Sequence, residues 1–516
     1  MKQKGKNKGK ERVSQVLQEY MAMLYIIWIF VFFTLYYRNN YIDIMRAKRE
    51  LYLWGTLVFL VVTGCVEICG RFAEREGRGK KTRQETIFLL LTLSCVFVWC
   101  IGAAASGHAA DAFIGKTGRR LGVIFFCCGA FMMLFLAKYL KWNAMLTWSV
   151  LLGSTAVFLL QIMDEWKIDI LHMKDDLADY HHLIFSSTIG NTNFNAAFDV
   201  GILSLELVFF LLCKEKISEI VYGLALFIGF MGAFCSRSDS AFLGLAGAAV
   251  VLLWYVSARP EKWKKLWWEG CLFFLASCVV SLLYACFQER AYPVDGVVKI
   301  LLSVPVLIAE GSLAAGCGFL VYRGKQRKKN RSVKPPKHIC IAAGIVGVAG
   351  ILCFFLANIT EGEGILSILR IDDSWGSTRG YVWKRCMKLF YAYPLFQKLF
   401  GCGINCLSFL LKENYGEEMK VVMNGAYFVD AHSEYLQVLM TTGIAGAIGF
   451  FGLLALTLKE SLQKLKEKEE MLFALVGIAA FLAQGAVNNL QISTLPLFFA
   501  QLGIYRSFLR NAASEE

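Results

Sequence analysis

Hydrophobic and polar positions follow one another along this chain in long blocks. Apolar runs of about 18 to 24 residues recur from end to end, each long enough to cross the roughly 30 Å hydrocarbon layer of a membrane as a helix. The pattern predicts an all-α polytopic membrane protein with about 14 transmembrane helices. The predicted spans are 20–37, 51–69, 86–105, 121–137, 145–163, 193–213, 217–235, 240–257, 270–287, 297–320, 339–357, 433–457, 471–487 and 493–508.

Composition supports the same class. The chain has 516 residues, is 57% hydrophobic and has a mean hydropathy of +0.51, far from the average of soluble globular proteins. The 17 cysteines form no metal or disulfide pattern, since most lie inside apolar runs. No zinc motif, nucleotide-binding loop or dinucleotide fingerprint is present. We therefore expect neither a metal nor a cofactor.

An even number of spans places both termini on one face, and charge indicates which face. Lys and Arg concentrate in segments such as 262–265 and 323–329, which lie inside if the N-terminus is inside. The sequence thus predicts a multi-pass protein of a bacterial cytoplasmic membrane with both termini cytoplasmic. Its net charge of +14 is interpreted as an inner surface facing anionic lipid, not as a nucleic-acid-binding surface.

This topology divides the chain into five segments. They are a basic cytoplasmic tail (1–19), a membrane domain with spans 1 to 11 (20–357), one large extracytoplasmic loop domain (358–432), a membrane domain with spans 12 to 14 (433–508) and a second cytoplasmic tail (509–516). The first apolar run lacks a small-residue cleavage site, so we expect a retained helix and not a removed signal peptide.

Polar groups gather at the predicted outer ends of the helices. They are the stretch 187–195, the turn 236–239, the stretch 484–491, an acidic loop that ends in His181 and His182, and the long polar segment that leads to His432. The topology rests on the spans and the charges alone. Because all of these polar groups fall on its outer face, the sequence predicts that they share a site.

Three side chains in these groups are candidates for chemistry. Arg237 is either a snorkelling residue that ends a helix or a cation that meets an anion in an outer cavity, with Asp239 as a competing partner. Arg379, beside Trp375 and Trp383, is either a solvated loop arginine or part of a phosphate- or sugar-binding surface.

His432 is the third candidate, read either as an interfacial histidine without chemistry or as a base. If Asp430 is the N-cap of span 12, His432 is the second helical residue. The positive end of the helix dipole would then keep its ring neutral.

Several motifs resemble the O-antigen ligase and polymerase family of bacterial membrane glycosyltransferases. In chain order they are 191–197 (Asn-Thr-Asn-Phe-Asn-Ala-Ala), Ser236 with Arg237, Arg379 followed by Trp383, 393–403 with Tyr-Pro-Leu and Gly-Cys-Gly, and 431–446 with Ala-His-Ser-Glu-Tyr-Leu-Gln and Gly-Ile-Ala-Gly. The resemblance covers about residues 185–450. Ser433 and Thr192 depart from the asparagine and the proline usual in the family.

The resemblance implies transfer of a glycan from undecaprenyl diphosphate to a glycan or lipid acceptor at the outer face of the membrane, without metal. Arg237 and Arg379 would bind the diphosphate, and His432 would orient or deprotonate the acceptor hydroxyl. The resemblance also suggests substrate-binding positions, namely Asn191, Asn193, Ser236, Trp383, Glu434 and Tyr435. The expected partners are the lipid-linked donor, the acceptor and membrane lipids, with no nucleic acid.

Transport of lipid-linked oligosaccharides is the alternative from another class of function. A flippase should carry charged residues deep within several spans and two pseudo-symmetric halves. Here the spans are nearly free of charge, with Glu67 and Glu206 as exceptions, and no internal repeat is evident. The sequence therefore favours an enzyme, without separating a ligase from a polymerase.

Overall fold

The computed structural model describes residues 2–73, 82–326 and 371–513, which are almost entirely helical. The longer helices are Lys2–Ile27, Ile44–Ala73, Arg83–Ala104, Val123–Tyr139, Ala144–Glu165, Thr192–Leu212, Lys216–Cys235, Asp239–Ser257, Trp263–Phe287, Val304–Gln326, Trp375–Ala392, Leu407–Val422, Glu434–Lys464, Leu472–Gly485 and Leu495–Ala513. The shorter helices are Ala109–Ile114, Gly296–Leu301 and Leu395–Phe400.

The remaining regular elements are short. Trp28–Phe33 continues the first helix as a π-helix, and 3-10 turns form at Asp179–His181, Pro260–Lys262, Gln288–Arg290 and Glu469–Met471. Strands Phe185–Ser186 and Gly190–Asn191 pair antiparallel, with Phe185 opposite Asn191 and Ser186 opposite Gly190. This hairpin leads directly into the helix Thr192–Leu212.

The membrane class predicted from the sequence is confirmed. In the described ranges, ten helices are long and apolar enough to cross a membrane, by length and composition. Val123–Tyr139, with 17 residues, is a shorter apolar helix. Predicted span 339–357, residues 358–370 of the predicted loop and residues 514–516 of the C-terminal tail lie outside the described residues. The count of about 14 spans stays a prediction.

One predicted span differs in the structure. The stretch 297–320 was expected to be one helix, but it forms Gly296–Leu301 and Val304–Gln326 with a break between them. Pro305 explains the break, because it has no N–H to donate to the carbonyl of Leu301 and its ring excludes that carbonyl sterically. The described part of the predicted loop, 371–432, is itself largely helical.

Small residues set the distances between helices. Gly129 packs against Phe499, Gly247 against Ala479 and Ala483. In a bilayer, burial of apolar surface between helices gives little driving force, so close van der Waals packing through small residues takes its place. The helix Thr192–Leu212 lies at the centre of the bundle, since 83% of its most apolar 18-residue stretch is buried.

The segments between helices meet at two polar ends of the bundle. At one end, Asn488 Nδ2 donates to the carbonyl of Asn193 at 2.9 Å, and Ser238 Oγ donates to Asn193 Oδ1 at 2.9 Å. At the other end, Tyr255 and Lys262 both bond to Glu469. Three of the polar groups predicted to share a face, 187–195, 236–239 and 484–491, are therefore in direct contact.

A break at Gly443 shapes the helix Glu434–Lys464. Gly443 has φ 65° and ψ −170°, a backbone conformation open essentially only to glycine. The break lies next to the carbonyls of Met440 and Thr441. The N–H groups of Cys402 and Gly403 donate to them, at 2.9 and 3.1 Å. The Gly-Cys-Gly motif thus fastens the 371–432 segment to the membrane helix.

We predict that Gly443→Ala destabilises the protein. The substitution strains the backbone by about 1–3 kcal/mol and drives a Cβ into the backbone of Leu399. In a thermal melt of the purified protein, the unfolding midpoint should fall by roughly 1–3 °C, since unfolding a chain of 516 residues has an entropy of about 1 kcal/mol/K. Gly452→Ala in the same helix is the matched control, since its Cβ would make ordinary contact with Leu91. Equal midpoints for the two variants would contradict this account of the break.

Candidate functional site

His432 lies in a tight turn just before a membrane helix. The helix begins at Glu434 with Ser433 as its N-cap, and His432 has φ 47° in the left-handed region. Asp430 Oδ1 accepts the backbone N–H of His432 at 3.0 Å. The expectation that Asp430 is the N-cap and His432 the second helical residue is therefore wrong. Asp430 caps the turn that precedes the helix.

The carboxylate of Asp430 is the most highly bonded group of this turn. It is 1% exposed, and its Oδ2 accepts from Arg119 Nε at 2.5 Å and from Gln491 Nε2 at 3.1 Å. Its Oδ1 lies 3.4 Å from His432 Nδ1. Asp430 therefore ties together the turn before Val123–Tyr139, the link before Leu495–Ala513 and the 430–433 turn.

Arg119 was not singled out from the sequence. Its guanidinium stands over the ring of Phe194 at 5.4 Å, which connects it to the predicted 191–197 motif. The signal that points to it is a pair of arginines, Arg119 and Arg120, at the predicted outer end of a span, where the positive-inside rule disfavours them.

Burial determines the charge state of His432. It lowers the pKa of the imidazole, the negative charge of Asp430 partly offsets this, and the positive charges of Arg119 and Arg379 lower the pKa further. The ring is thus neutral near pH 7 and able to accept a proton.

Asp430 shows the opposite balance. Burial is the largest single influence and would raise the pKa of its carboxyl. The charges of Arg119 and His432, together with the hydrogen bonds from Arg119 and from the backbone of His432, outweigh burial, so the net pKa lies below the usual range. A buried, ionised carboxylate is therefore held beside a neutral imidazole.

Arg379 lies on the first turns of the helix Trp375–Ala392. Residues 376–378 are all left-handed, and this turn lets Arg379 Nη1 donate to the carbonyl of Gly376 at 2.9 Å. Its Nε is buried and has no hydrogen-bond partner among the described residues. Trp383, one turn further along the same helix, bonds to the carbonyl of Ala431, so Arg379 lies in the region of the histidine turn, and its positive charge lowers the pKa of His432. Asp239 and Asp430 are also close enough to act on its charge.

Trp383 braces the histidine turn from the same helix. Its indole N–H donates to the carbonyl of Ala431 at 2.9 Å, and its ring lies 5.2 Å from that of Trp375. Trp383 thereby links the helix that carries Arg379 to the backbone next to His432.

Arg237 occupies the turn between Lys216–Cys235 and Asp239–Ser257. Its side chain is 7% exposed, and Nη1 bonds to Glu165 Oε2 at 2.7 Å. Its guanidinium stacks on Tyr292 at 4.6 Å, and its buried Nε has no hydrogen-bond partner in the described ranges. Asp239, the expected competitor, instead accepts the N–H of Val297 at 2.8 Å.

Two further cations surround the same tyrosine ring. Lys174 Nζ lies 4.7 Å from the centre of the Tyr292 ring and pairs with Asp164 at 2.6 Å. Lys167 Nζ lies 5.5 Å from the ring centre. With Arg237 they place three positive charges beside the carboxylates of Asp164 and Glu165.

The predicted asparagines and serine mainly hold the helices together. Asn191 caps the helix Thr192–Leu212 by accepting the N–H of Asn193 at 2.9 Å. Asn193 joins Ser238 and Asn488, as described above. Ser236 Oγ donates to the carbonyl of Ala233 at 2.8 Å and is fully buried. A direct role for these three in substrate binding stays a prediction.

Glu434 and Tyr435 form hydrogen bonds with residues between 482 and 490. The N–H of Glu434 donates to the carbonyl of Asn488 at 2.8 Å, and Oε2 accepts the N–H of Leu490 at 2.7 Å. Tyr435 is 39% exposed, stacks on Phe451 at 5.2 Å and donates to the carbonyl of Leu482. Substrate binding by either residue also stays a prediction.

The assembled site combines a neutral imidazole with guanidinium groups in a poorly hydrated setting. Such a site can accept a proton from a hydroxyl and stabilise an anion that forms nearby. Within the described ranges, no group of three or more His, Cys, Asp or Glu side chains is placed to hold a metal ion.

Comparison with known proteins adds a family. Residues 224–451 match the family model described as O-Antigen ligase, while no curated protein matches the chain. The match confirms the resemblance seen in the sequence motifs and includes the three predicted catalytic residues, Arg237, Arg379 and His432. Asn191, Asn193 and Arg119 precede it. The part of the chain that carries Arg237, Arg379 and His432 is therefore similar to the O-antigen ligase family.

Proposed function

We propose that this membrane protein transfers a glycan from undecaprenyl diphosphate to a glycan or lipid acceptor at the outer face of the cytoplasmic membrane. The observation that carries the proposal is the pairing of His432, kept neutral by burial, with the nearby cation Arg379 inside the region similar to the O-antigen ligase family. Polysaccharide assembly is the role that the family suggests. The donor and the acceptor are our inference.

The reaction needs a base and a site for the leaving group. His432 accepts the proton of the acceptor hydroxyl while the hydroxyl oxygen attacks the anomeric carbon. The bond from that carbon to the phosphate oxygen breaks, and its electron pair leaves with the lipid diphosphate. Arg379 and Arg237 donate to the diphosphate oxygens, where fixed guanidinium groups favour the developing charge over the ground state.

Arg237 contributes from an ion pair. Its Nη1 is bound to Glu165, and its unpaired Nε together with the nearby Lys174 supplies the remaining positive field. Burial lowers the pKa of Arg379, whereas Asp239, two residues from Arg237 along the chain, raises it.

The proposal that the His432 end faces outward rests on the distribution of Lys and Arg. The polar end opposite the candidate site carries Lys262, Lys265 and Arg259, all within the predicted inner segments. This distribution supports an inner face at that end and an outer face at the His432 end, with both termini cytoplasmic.

Transport of the same lipid-linked oligosaccharide is the second candidate. Beyond Glu206, the membrane helices bury Asp199 and Glu269, so the helices hold more acidic residues than the two predicted exceptions. Asp199 accepts from Gln161 and Glu206 from Ser154, both at 2.9 Å. Buried carboxyls are features that transporters use, and Asp199 lies beside Ser236, the neighbour of Arg237.

We predict that His432→Ala lowers glycan transfer by about 10²–10⁴-fold and Arg379→Ala by about 10²–10³-fold. Both variants should insert into the membrane normally. The matched controls are His172→Ala, at an exposed histidine, and Lys384→Ala, at an exposed cation on the Arg379 helix. The measurement is turnover of a purified undecaprenyl diphosphate-linked glycan. Full activity in His432→Ala would refute its role.

The pH dependence should report the lowered pKa of His432. A neutral imidazole is the active form, so kcat/KM should be constant near pH 7 and fall as the pH drops through the pKa of the ring. The midpoint should lie below 6.5, the ordinary value. A midpoint above 7 would mean that another group is the base or that the site favours the imidazolium.

Transfer should also continue when divalent cations are removed. The arginines supply the positive charge that a metal would otherwise provide, so EDTA is expected to leave the rate unchanged. Loss of turnover in EDTA that Mg²⁺ or Mn²⁺ restores would argue against this mechanism.

A further inference from the structure

We propose that Asp430 is a positioning residue for His432, and that Arg119 sets how strongly Asp430 acts. This inference rests on the proposed role of His432 as the base. It assigns to Asp430 the task of holding the Nδ1–H tautomer, so that Nε2 is the basic atom offered to the acceptor hydroxyl.

Geometry supplies the first argument. Asp430 Oδ1 lies 3.4 Å from His432 Nδ1 and also accepts the backbone N–H of His432 at 3.0 Å. The same oxygen thus fixes both the backbone and one edge of the ring. Within the described residues, no other side chain bonds to the ring nitrogens. A small rotation of the ring closes the Nδ1–H hydrogen bond, which leaves Nε2 without its proton.

The second argument is the free energy needed to bury the carboxylate of Asp430. A carboxylate that is 1% exposed is unfavourable unless it is paired and hydrogen-bonded. Arg119 and Gln491 satisfy Oδ2, and the backbone of His432 satisfies Oδ1. Three chain segments far apart in sequence converge to keep this charge beside the imidazole. A turn alone would need only a hydrogen bond to the backbone.

Asp430 and Arg119 should shift the pKa of His432 in opposite directions. The charged groups that face His432 are Asp430 on its own turn, Arg119 before Val123–Tyr139, and Arg379 on Trp375–Ala392. Asp430 raises the pKa of the ring, whereas Arg119 lowers it. Removing the carboxylate therefore makes His432 a weaker base, and the proton of the neutral ring no longer favours Nδ1. Removing the guanidinium makes it a stronger base.

The test follows the titration of His432 in the purified full-length protein. The chain has only six histidines, so imidazole ¹⁵N labelling gives few resonances, and the one missing in His432→Ala is His432. Asp430→Asn should lower its titration midpoint by about one pH unit and abolish the preference for Nδ1–H. Arg119→Gln should raise the midpoint. Asp373→Asn, an exposed ion-paired acid in the same segment, should leave it unchanged.

Kinetics provide the second readout. With a purified undecaprenyl diphosphate-linked glycan as donor, Asp430→Asn should reduce kcat by about 10-fold or more with little change in KM, as expected when only the transition state is affected. The acid limb of the pH profile should shift in the direction of the NMR midpoint.

The outcomes separate the two proposals. Unchanged midpoints in both variants, or shifts of the same sign, overturn the inference whatever the activity. If Asp430→Asn does not fold, the sign of the Arg119→Gln shift decides. Full activity in His432→Ala overturns the proposed function, while the measured coupling of Asp430 to the ring is judged separately.

Discussion

The buried carboxylate of Asp430 is the interaction on which the rest of the site depends. It accepts from Arg119, Gln491 and the backbone of His432, so it joins an early turn, a late turn and the polar segment into one structure. Partial loss of such a network leaves an unpaired charge out of water, which costs several kcal/mol. The conformation of the histidine turn and the closeness of three helices are therefore maintained together.

Breaks in the helices place this network. The break at Gly443 lies next to two carbonyls, and the Gly401–Gly403 turn binds them, which docks the segment that carries Arg379 and Trp383. The left-handed turn at 376–378 then orients Arg379, and Trp383 supports the turn of His432. Strained backbone at functional sites persists where surrounding contacts hold it. Here the strained positions are Gly443 and residues 376–378. The first lies next to the carbonyls that bind the Gly401–Gly403 turn, and the others precede Arg379, which donates a hydrogen bond to Gly376.

The sequence predicted much of the architecture and part of the site. Long apolar runs determine spans, because a bilayer requires every backbone group to be bonded within the helix, and this made most spans recognisable. The break before Pro305 and the helices of 371–432 were missed, since hydropathy does not register them. The motifs point to Arg237, Arg379 and His432, whose roles stay predictions. Arg119 was not singled out, and Asp430 was expected only as the N-cap of span 12, because their significance arises from a contact between residues 311 positions apart.

The most direct test of the central claim is the mass of the products formed by the purified protein in detergent from an undecaprenyl diphosphate-linked glycan and a membrane extract as acceptor. Our account predicts free undecaprenyl diphosphate together with an acceptor heavier by one glycan unit or more. Increments of many units would identify a polymerase, and a single addition a ligase. An unaltered donor, moved only from one leaflet to the other when the protein is placed in vesicles, would contradict the account and indicate a transporter.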